Sequence, residues 1–305
     1  MEKIKDKVRE LTGFTVEKIS RMEEDTNNNV FRVTAGNKDY IFKIYRSKDW
    51  PEDGKLLFIN SKLQEYQIKS VKIIAFDRND PDFSNGFLLE EVVPGRAASQ
   101  LTFDEEDEKE YYRKLAVLIS QVHSIPLYNF GYIGKGKPEY SSMFSFFQHE
   151  FDNRFRALLE NNIFSPEQWR KMKDLLLMGM KEYKDLPAVL CHGDLAKDNL
   201  IIAEDGTLTL IDWDDAMAYN WMADIAIMTF GMKMSYNEDY YCIMIKAFMD
   251  SYQTAYSKEA FAGFEQYFHI WIGLEWLSYY IETRDEGMKE KIREYLDKIC
   301  MQDQV

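Results

Sequence analysis

Strand pattern and helix pattern are segregated along this chain, and that segregation limits the folds open to it. Val30-Phe31-Arg32-Val33 and Tyr40-Ile41-Phe42-Lys43-Ile44-Tyr45 are β-branched and aromatic runs. Gly36-Asn37-Lys38-Asp39 between them is a turn signal, so the pair predicts a hairpin. Helical pattern follows from about Glu52 to Glu65, then strand pattern over Val71 to Phe76 and Phe87 to Val93. Pro94-Gly95 breaks the chain. The boundary expected there separates a strand-rich lobe, residues 1–93, from a mainly helical lobe, residues 94–305. In the second part, Thr102-Phe103-Asp104-Glu105 reads as a capping box, and Leu115, Leu118, Ile119 and Val122 recur at helical spacing. Ser165-Pro166-Glu167-Gln168 opens another helix, with Ser as N-cap and Pro at its first position. One β island interrupts the helices: Ala188 to Cys191, Leu200 to Ala203 and Leu208 to Ile211, the last two joined by the turn Asp205-Gly206. From Asn237 to the end the pattern is helical. Strands first and helices afterwards predict an α+β architecture.

Composition sets outer limits. At 305 residues the chain is too long for one small module. Its formal net charge of −14 repels nucleic-acid phosphate and anionic membrane surfaces, so neither partner is expected. The same charge favours cationic small molecules, although solubility alone also accounts for it. Cys191, Cys242 and Cys300 form no CxxC pair, which argues against a disulfide framework or a zinc site and for a reducing compartment. The start of the chain is mixed-charge with no apolar signal region, and the apolar stretch Phe268 to Ile281 is interrupted by Glu275 and too short to span a bilayer. A soluble cytoplasmic protein is expected. Oligomeric state is not legible.

The chemistry concentrates in the β island. Asp194-Leu195-Ala196-Lys197-Asp198-Asn199 reads D-x-x-x-x-N, the spacing of a kinase catalytic loop. Phosphoryl transfer needs an oxygen nucleophile aimed in line at phosphorus. A carboxylate such as Asp194 can orient that hydroxyl and take its proton. An amide oxygen such as Asn199 can take one side of Mg²⁺ without adding charge. Asp212 closes the strand Leu208-Thr209-Leu210-Ile211 and is placed to supply a second metal oxygen. His192 precedes the pair and is expected to orient it, since phosphoryl transfer needs no second base. A lone Asp at a strand end is ordinarily a turn residue, and a lone His ordinarily a satisfied structural one. The conjunction of strand, H-G-D-x-x-x-x-N, hairpin, strand and I-D-W-D is much more specific.

With these residues in place, His192-Gly193-Asp194-Leu195-Ala196-Lys197-Asp198-Asn199 and Ile211-Asp212-Trp213-Asp214 resemble the aminoglycoside phosphotransferase and choline kinase family. Val122-His123-Ser124-Ile125 is similar to the end of a family helix, and Asp224-Ile225-Ala226 to its D-L-A segment, in which the Asp is structural. The likeness runs from about Phe14 to Ala226. It implies a protein-kinase-like two-lobed fold, with ATP or GTP as phosphoryl donor, Mg²⁺ as metal and a hydroxyl of a small molecule as acceptor. The chain departs from protein kinases in having Gly193 where they carry Arg, and Asp212-Trp213-Asp214 where they carry D-F-G.

On the donor side, Lys43 sits mid-strand among apolar residues and needs an anionic partner. The family reading is a contact to the α- and β-phosphates; the plain alternative is an edge-strand lysine facing water. The helix glutamate that usually pairs with it falls near Lys55 or Leu56 by alignment; of Glu52 at the start of the candidate helix and Glu65 near its end, Glu52 is the favoured partner. The loop Asp25-Thr26-Asn27-Asn28-Asn29 is not glycine-rich; Asn28 and Asn29 either donate to phosphate or belong to an ordinary turn. By resemblance, the carbonyl of Glu91 and the amide of Val93 read the purine edge. On the acceptor side, Trp271, Glu275, Tyr279, Glu282 and Glu286 fall on one helical stripe. Aromatic rings and carboxylates together suit a cationic amine, and a solvated face with two packed rings is the alternative. The resemblance makes an aminoglycoside-type antibiotic the leading acceptor. A metabolic kinase for choline, ethanolamine, homoserine or a sugar derivative is the second reading, and a nucleotide-binding pseudokinase or scaffold the third.

Overall fold

The computed structural model describes residues 1–22, 28–137, 139–283 and 285–302, and the side chains of all of these except 281–283 and 302. The chain divides into two compact units. The first comprises Met1–Thr102, Tyr132–Lys137 and Lys197–Asp215, and the second Phe103–Gly131, Pro138–Ala196 and Ala216–Val305.

The first unit is built on an antiparallel sheet of β1 (Val16–Arg21), β2 (Asn28–Ala35), β3 (Lys38–Tyr45), β4 (Ile73–Asp77) and β5 (Phe87–Glu91), in the order β1-β2-β3-β5-β4. The predicted hairpin closes on Gly36-Asn37 with φ of 59° and 62°, and Ala35 faces Lys38. Two positive φ values in a two-residue loop match the right-handed twist of the strands, and Gly and Asn tolerate them. Helix α1 (Glu2–Thr12) covers one face. Its Ile4 and Val8 pack with Val33, Ala35, Tyr40, Phe42, Phe87 and Leu89. Neither α1 nor β1 was expected from sequence. Ile4, Val8 and Leu11 recur at i, i+4 and i+7, so the helical signal for α1 was present in the sequence. Helix α2 runs Lys55–Glu65 and begins three residues later than expected, after a left-handed Gly54.

A second, small sheet in this unit pairs β6 (Arg96–Ala97), β10 (Leu200–Ile202) and β11 (Leu208–Leu210) in the order β11-β10-β6. The β10–β11 hairpin turns through Asp205-Gly206 as expected, with Gly206 at φ 78° and the Thr207 N–H donating to the Asp205 carboxylate.

The second unit is helical: α3 (Glu105–Val122), α4 (Met143–Arg154), α5 (Arg156–Glu160), α6 (Pro166–Glu182), α7 (Trp221–Ser235), α8 (Glu238–Ser251), α9 (Phe261–Thr283) and α10 (Glu286–Gln302). Short strands β7 (Pro126–Leu127), β9 (Ala188–Cys191) and β12 (Met217–Tyr219) pair antiparallel within it, and β8 is Gly131–Tyr132. The capping box expected at Thr102 is corrected. The helix begins at Glu105, and Asp104 caps it by accepting the Asp107 N–H at 2.9 Å. A carboxylate is at least as good a cap as a hydroxyl, and it also meets the positive end of the helix dipole. Ser165 does form the predicted capping box with Gln168, with Pro166 as first helical residue. No helix of the described residues is long and apolar enough to cross a membrane.

Candidate active site

Strand alternation decides what β3 presents on each side. Phe42 belongs to the core under α1, so Ile41, Lys43 and Tyr45 point to the opposite face. Register adds Val30 opposite Lys43, Asn28 opposite Tyr45, and Leu88 and Glu90 from β5 opposite Lys43 and Ile41. Lys43 is 5% exposed. Its Nζ lies 2.8 Å from Asp212 Oδ1 and 3.0 Å from Asp214 Oδ2. Burial alone would lower the Lys43 pKa, but the carboxylates of Asp214 and Asp212 outweigh it and hold the pKa well above the usual value. The ammonium is a permanent charge here.

The counter-charges behave differently. Burial pushes Asp214 up to about 7 against the pull of Lys43. Glu90 is pushed up to about 8, by burial first, with Lys43 opposing and Asp212 and Asp214 adding repulsion. Leu56, Ile59, Leu63, Val71, Ile73 and Leu88 line a cavity of about 20 Å³ together with Glu90 and the run Asp212-Trp213-Asp214. Asp212 itself is 38% exposed at its side chain, so its carboxylate remains reachable from solvent.

The hairpin places the metal candidates. Leu200 faces Leu210, and the Ile211 N–H donates to the Asn199 carbonyl at 3.0 Å. That bond fixes Asn199 next to the Ile211-Asp212 peptide at the open end of the hairpin. Asp212 has φ 59°, a left-handed conformation that costs a non-glycine residue about 1 kcal/mol or more. Aspartate is among the residues that tolerate it best. The Ile211–Asn199 bond brings the main chains at Asn199 and Asp212 together; an amide and a carboxylate oxygen are hard donors of the kind Mg²⁺ takes, with water and phosphate oxygens completing its shell.

In the helical unit, β9 ends in Cys191 and delivers His192, Gly193 and Asp194 into a tight turn, with Gly193 at φ 83°. Asp224, on the first turn of α7, is fully buried and holds that turn. Its carboxylate accepts the N–H of His192 at 2.6 Å and of Gly193 at 2.7 Å, and lies 3.1 Å from His123 Nε2. Burial would raise the Asp224 pKa; the His123 bond and the neighbouring donors outweigh it and hold it below the usual carboxylate range. His192 is fully buried, and its Nδ1 accepts the Asp194 N–H at 3.3 Å. Asp194 is half-buried. The sequence signal for Asp224 was the Asp224-Ile225-Ala226 segment, and the structural role expected of it is the one the geometry gives.

Other sequence candidates are placed differently. Glu52 does not meet Lys43: its carboxylate lies 2.9 Å from Lys55 Nζ. Lys55 is 1% exposed and also donates to the Asp214 carbonyl at 2.7 Å. The helix that was expected to bring an anion to Lys43 brings Lys55 to the Asp214 carbonyl instead, and the partnership with Glu52 is corrected to one with Asp212 and Asp214. Asn28 lies on the Lys43 face and is buried, its Oδ1 without a partner among the described residues. Asn29 lies on the other face, where Arg21 and Arg46 both donate to its Oδ1 at 3.1 Å. Residues 25–27 of that loop lie outside the described residues. The Glu91 carboxylate is taken by Lys38 and Lys72, each at 2.9 Å, which leaves only its main chain for a base. The Val93 N–H has no acceptor among the described residues.

The stripe on α9 does not form one open face. Trp271 is 5% exposed, packed edge-on against Phe147 and Phe155 at 4.6 and 4.7 Å between centroids. Glu275 accepts both Arg154 Nε and Nη2, at 2.8 and 2.7 Å. Tyr279 is exposed. The Glu282 side chain lies outside the described residues, and Glu286 begins α10. Periodicity alone could not tell the rings of an open face from rings of the core.

A strand-rich unit with a buried lysine set against two carboxylates, and a helical unit with a braced His-Gly-Asp turn, define a protein-kinase-like α+β fold. The chain matches the Phosphotransferase enzyme family over residues 18–263 and belongs to that family. It is therefore an enzyme of the kinase class. No curated protein matches it in sequence. Among solved structures it is similar to the apo form of a thermostable mutant of aminoglycoside phosphotransferase APH(4)-Ia, with TM-score 0.72 and 14% identity over 98% of this chain and 99% of that one. A ternary complex of another such mutant with ADP and hygromycin B gives 0.73 and 14%, covering 98% of each chain. Choline kinase LicA from Streptococcus pneumoniae gives 0.64 and 19%, over 97% of this chain and 98% of that one.

Proposed function

We propose that this enzyme transfers the γ-phosphate of ATP, or of GTP, to a hydroxyl of a small cationic molecule, with an aminoglycoside-type antibiotic as the leading acceptor. The observation that carries the reading is the meeting of Lys43 with Asp212 at 2.8 Å, next to the Asn199–Ile211 bond. A permanent cation beside a carboxylate, with an amide residue next to it in the hairpin, is the kind of set a polyphosphate and its metal require.

In this reading Lys43 neutralises phosphate oxygens from its place on β3. Val30, Ile41 and Leu88 on the same face supply an apolar bed for a base, and the Glu91 carbonyl and Val93 N–H read its edge. Asn199 and Asp212 would hold Mg²⁺, which supplies charge neutralisation on the phosphates when bound. Asp194 accepts the proton of the acceptor hydroxyl and aims its oxygen at phosphorus. His192 keeps the turn that presents Asp194, through its Nδ1 and through its N–H on Asp224.

Support for the acceptor class comes from the net charge of −14 and from the family, whose structural likenesses include a complex with hygromycin B. The burial of Trp271 and the Arg154–Glu275 pair weaken the α9 stripe as a ready-made amine site. A metabolic kinase for choline, ethanolamine, homoserine or a sugar derivative uses the same donor chemistry. The reading also places the enzyme in the cytoplasm, where its three free cysteines stay reduced and ATP is abundant.

The test is a panel of aminoglycosides, amino alcohols and sugar derivatives with Mg²⁺–ATP and Mg²⁺–GTP, read by nucleoside diphosphate release and by the mass of the phosphorylated product. Aminoglycoside-dependent release with a product heavier by one phosphoryl group is expected. Phosphorylation of an amino alcohol alone would replace the leading acceptor by the second reading. No turnover with any acceptor, alongside normal nucleotide binding, would favour a pseudokinase.

A further inference from the structure

Four buried ionisable residues in the first unit form a connected set: Lys43, Asp214, Lys55 and Glu52, with residue exposures of 5, 2, 1 and 5%. Asp214 is its hub. All three of its acceptor oxygens are engaged by different side chains. Oδ2 takes Lys43 Nζ at 3.0 Å, Oδ1 takes the Tyr45 hydroxyl at 3.2 Å, and the main-chain carbonyl takes Lys55 Nζ at 2.7 Å. Lys55 is neutralised in turn by Glu52 at 2.9 Å. The Tyr45 ring is itself held under the guanidinium of Arg78, 4.6 Å from its centroid.

A lysine side chain has four rotatable carbons and a point charge, so it stays in one place only if something fixed holds it. Two carboxylates touch Lys43, but they are not equivalent. Asp212 is half-buried, its side chain reachable from solvent, and it follows the residue bonded to Asn199, where a metal would claim its charge. Asp214 is buried, anchored at three points, and two residues beyond on the same loop.

The geometry points to Asp214 as the residue that positions Lys43 for phosphate, with Tyr45 and Lys55 fixing Asp214, so that α2 acts on the lysine through Asp214. Asp214 acts through Lys43 and touches no substrate; it is a positioning residue. The inference rests on the reading of Lys43 as a phosphate contact. One consequence is that α2 is tied to the Asp212-Trp213-Asp214 loop by a hydrogen bond from the Lys55 side chain to the main-chain carbonyl of residue 214, independent of the side chain at that position.

The full-length protein tests this by equilibrium binding of Mg²⁺–ATP and of adenosine, which lacks phosphate. Wild type is compared with Lys43→Met, Asp214→Asn, the double variant and Asp214→Glu. Loss of a charge-assisted bond to a buried ammonium predicts that Asp214→Asn weakens Mg²⁺–ATP by about tenfold or more. Adenosine affinity stays within about twofold, the range of a change without lost contacts. Asp214→Glu recovers part of the ATP affinity, and in the Lys43→Met background Asp214→Asn adds nothing further. If Asp214→Asn does not fold, Tyr45→Phe removes one anchor and keeps the packing, and it should weaken ATP several-fold while sparing adenosine. Wild-type ATP affinity in whichever of these two variants folds, or a loss fully additive with Lys43→Met, or an equal loss of adenosine, overturns the inference alone. Wild-type ATP affinity in Lys43→Met overturns the underlying reading and this inference with it.

Discussion

The carboxylate of Asp224 accepts the main-chain N–H of His192 at 2.6 Å, thirty-two residues away in sequence. A fully buried acid thereby satisfies two successive amides and one imidazole. Replacing it with alanine orphans all three donors, each at roughly 1–3 kcal/mol. Asp224→Ala should therefore lose about 3 kcal/mol or more of stability in urea unfolding. Asp224→Asn, which keeps one acceptor oxygen, should lose less. Equal, small losses in both would mean that the turn is held by something else.

Asp194 is half-buried, on the turn that Asp224 braces. If it is the base, Asp194→Asn keeps the shape and removes the proton acceptor. Turnover with the accepted substrate should fall by about 10² to 10⁴. Mg²⁺–ATP affinity should hold to within a few-fold, because the phosphate contacts proposed here lie on other residues. Unchanged turnover would remove Asp194 from the chemistry.

Trp271 separates a substrate stripe from a core. Its ring is in edge contact with Phe147 and Phe155, and it is 5% exposed. Truncating a buried Trp costs about 3–5 kcal/mol through lost contacts and the cavity left behind. Trp271→Ala should show that loss in thermal or urea unfolding. Trp271→Phe should keep most of the stability, and an unaltered KM for the acceptor. A raised acceptor KM in Trp271→Phe with unchanged stability would return Trp271 to the acceptor site.

His269 predicts a pH dependence of stability. It is buried between α7 and α10, its Nε2 near the Ala226 carbonyl at 3.0 Å and its Nδ1 2.6 Å from the Tyr295 hydroxyl. Burial lowers its pKa from 6.5 to about 4. Below 6.5 the unfolded chain binds a proton that the folded chain refuses. This contribution to stability is therefore fully present above pH 6.5, is lost as pH falls toward 4, and levels off below that. The loss amounts to about 3 kcal/mol, at 1.36 kcal/mol for each unit. Urea unfolding of wild type and His269→Gln at pH 7 and pH 4 checks it: the gap between the two pH values should shrink by about that much in the variant. An unchanged gap would assign the acid sensitivity to other groups.

Legibility from sequence was uneven, for identifiable reasons. The β2–β3 hairpin and the capping box at Ser165 follow from local chemistry, because a left-handed turn or an N-cap involves residues a few positions apart. The β10–β11 hairpin belongs with them, and through it the adjacency of Asn199 and Asp212. The start of α3 went wrong by two residues because Thr102 and Asp104 offer rival caps of similar strength.

Lys43 announced itself in sequence as a charge that needs a partner, but the identity of that partner did not. Its carboxylates lie 169 and 171 residues downstream. The nearby acid Glu52 was the natural local choice and turned out to serve Lys55. Likewise the i, i+4 spacing of Trp271 and Glu275 put them on one face of α9, but not whether water or aromatic rings faced them. The sequence by itself determined the motif order, the strand-then-helix layout and the reaction class, since these rest on short-range spacing and on residue chemistry. Only the tertiary structure decided which buried charges pair and which rings are core, because burial and ion pairing depend on packing between segments distant in the chain.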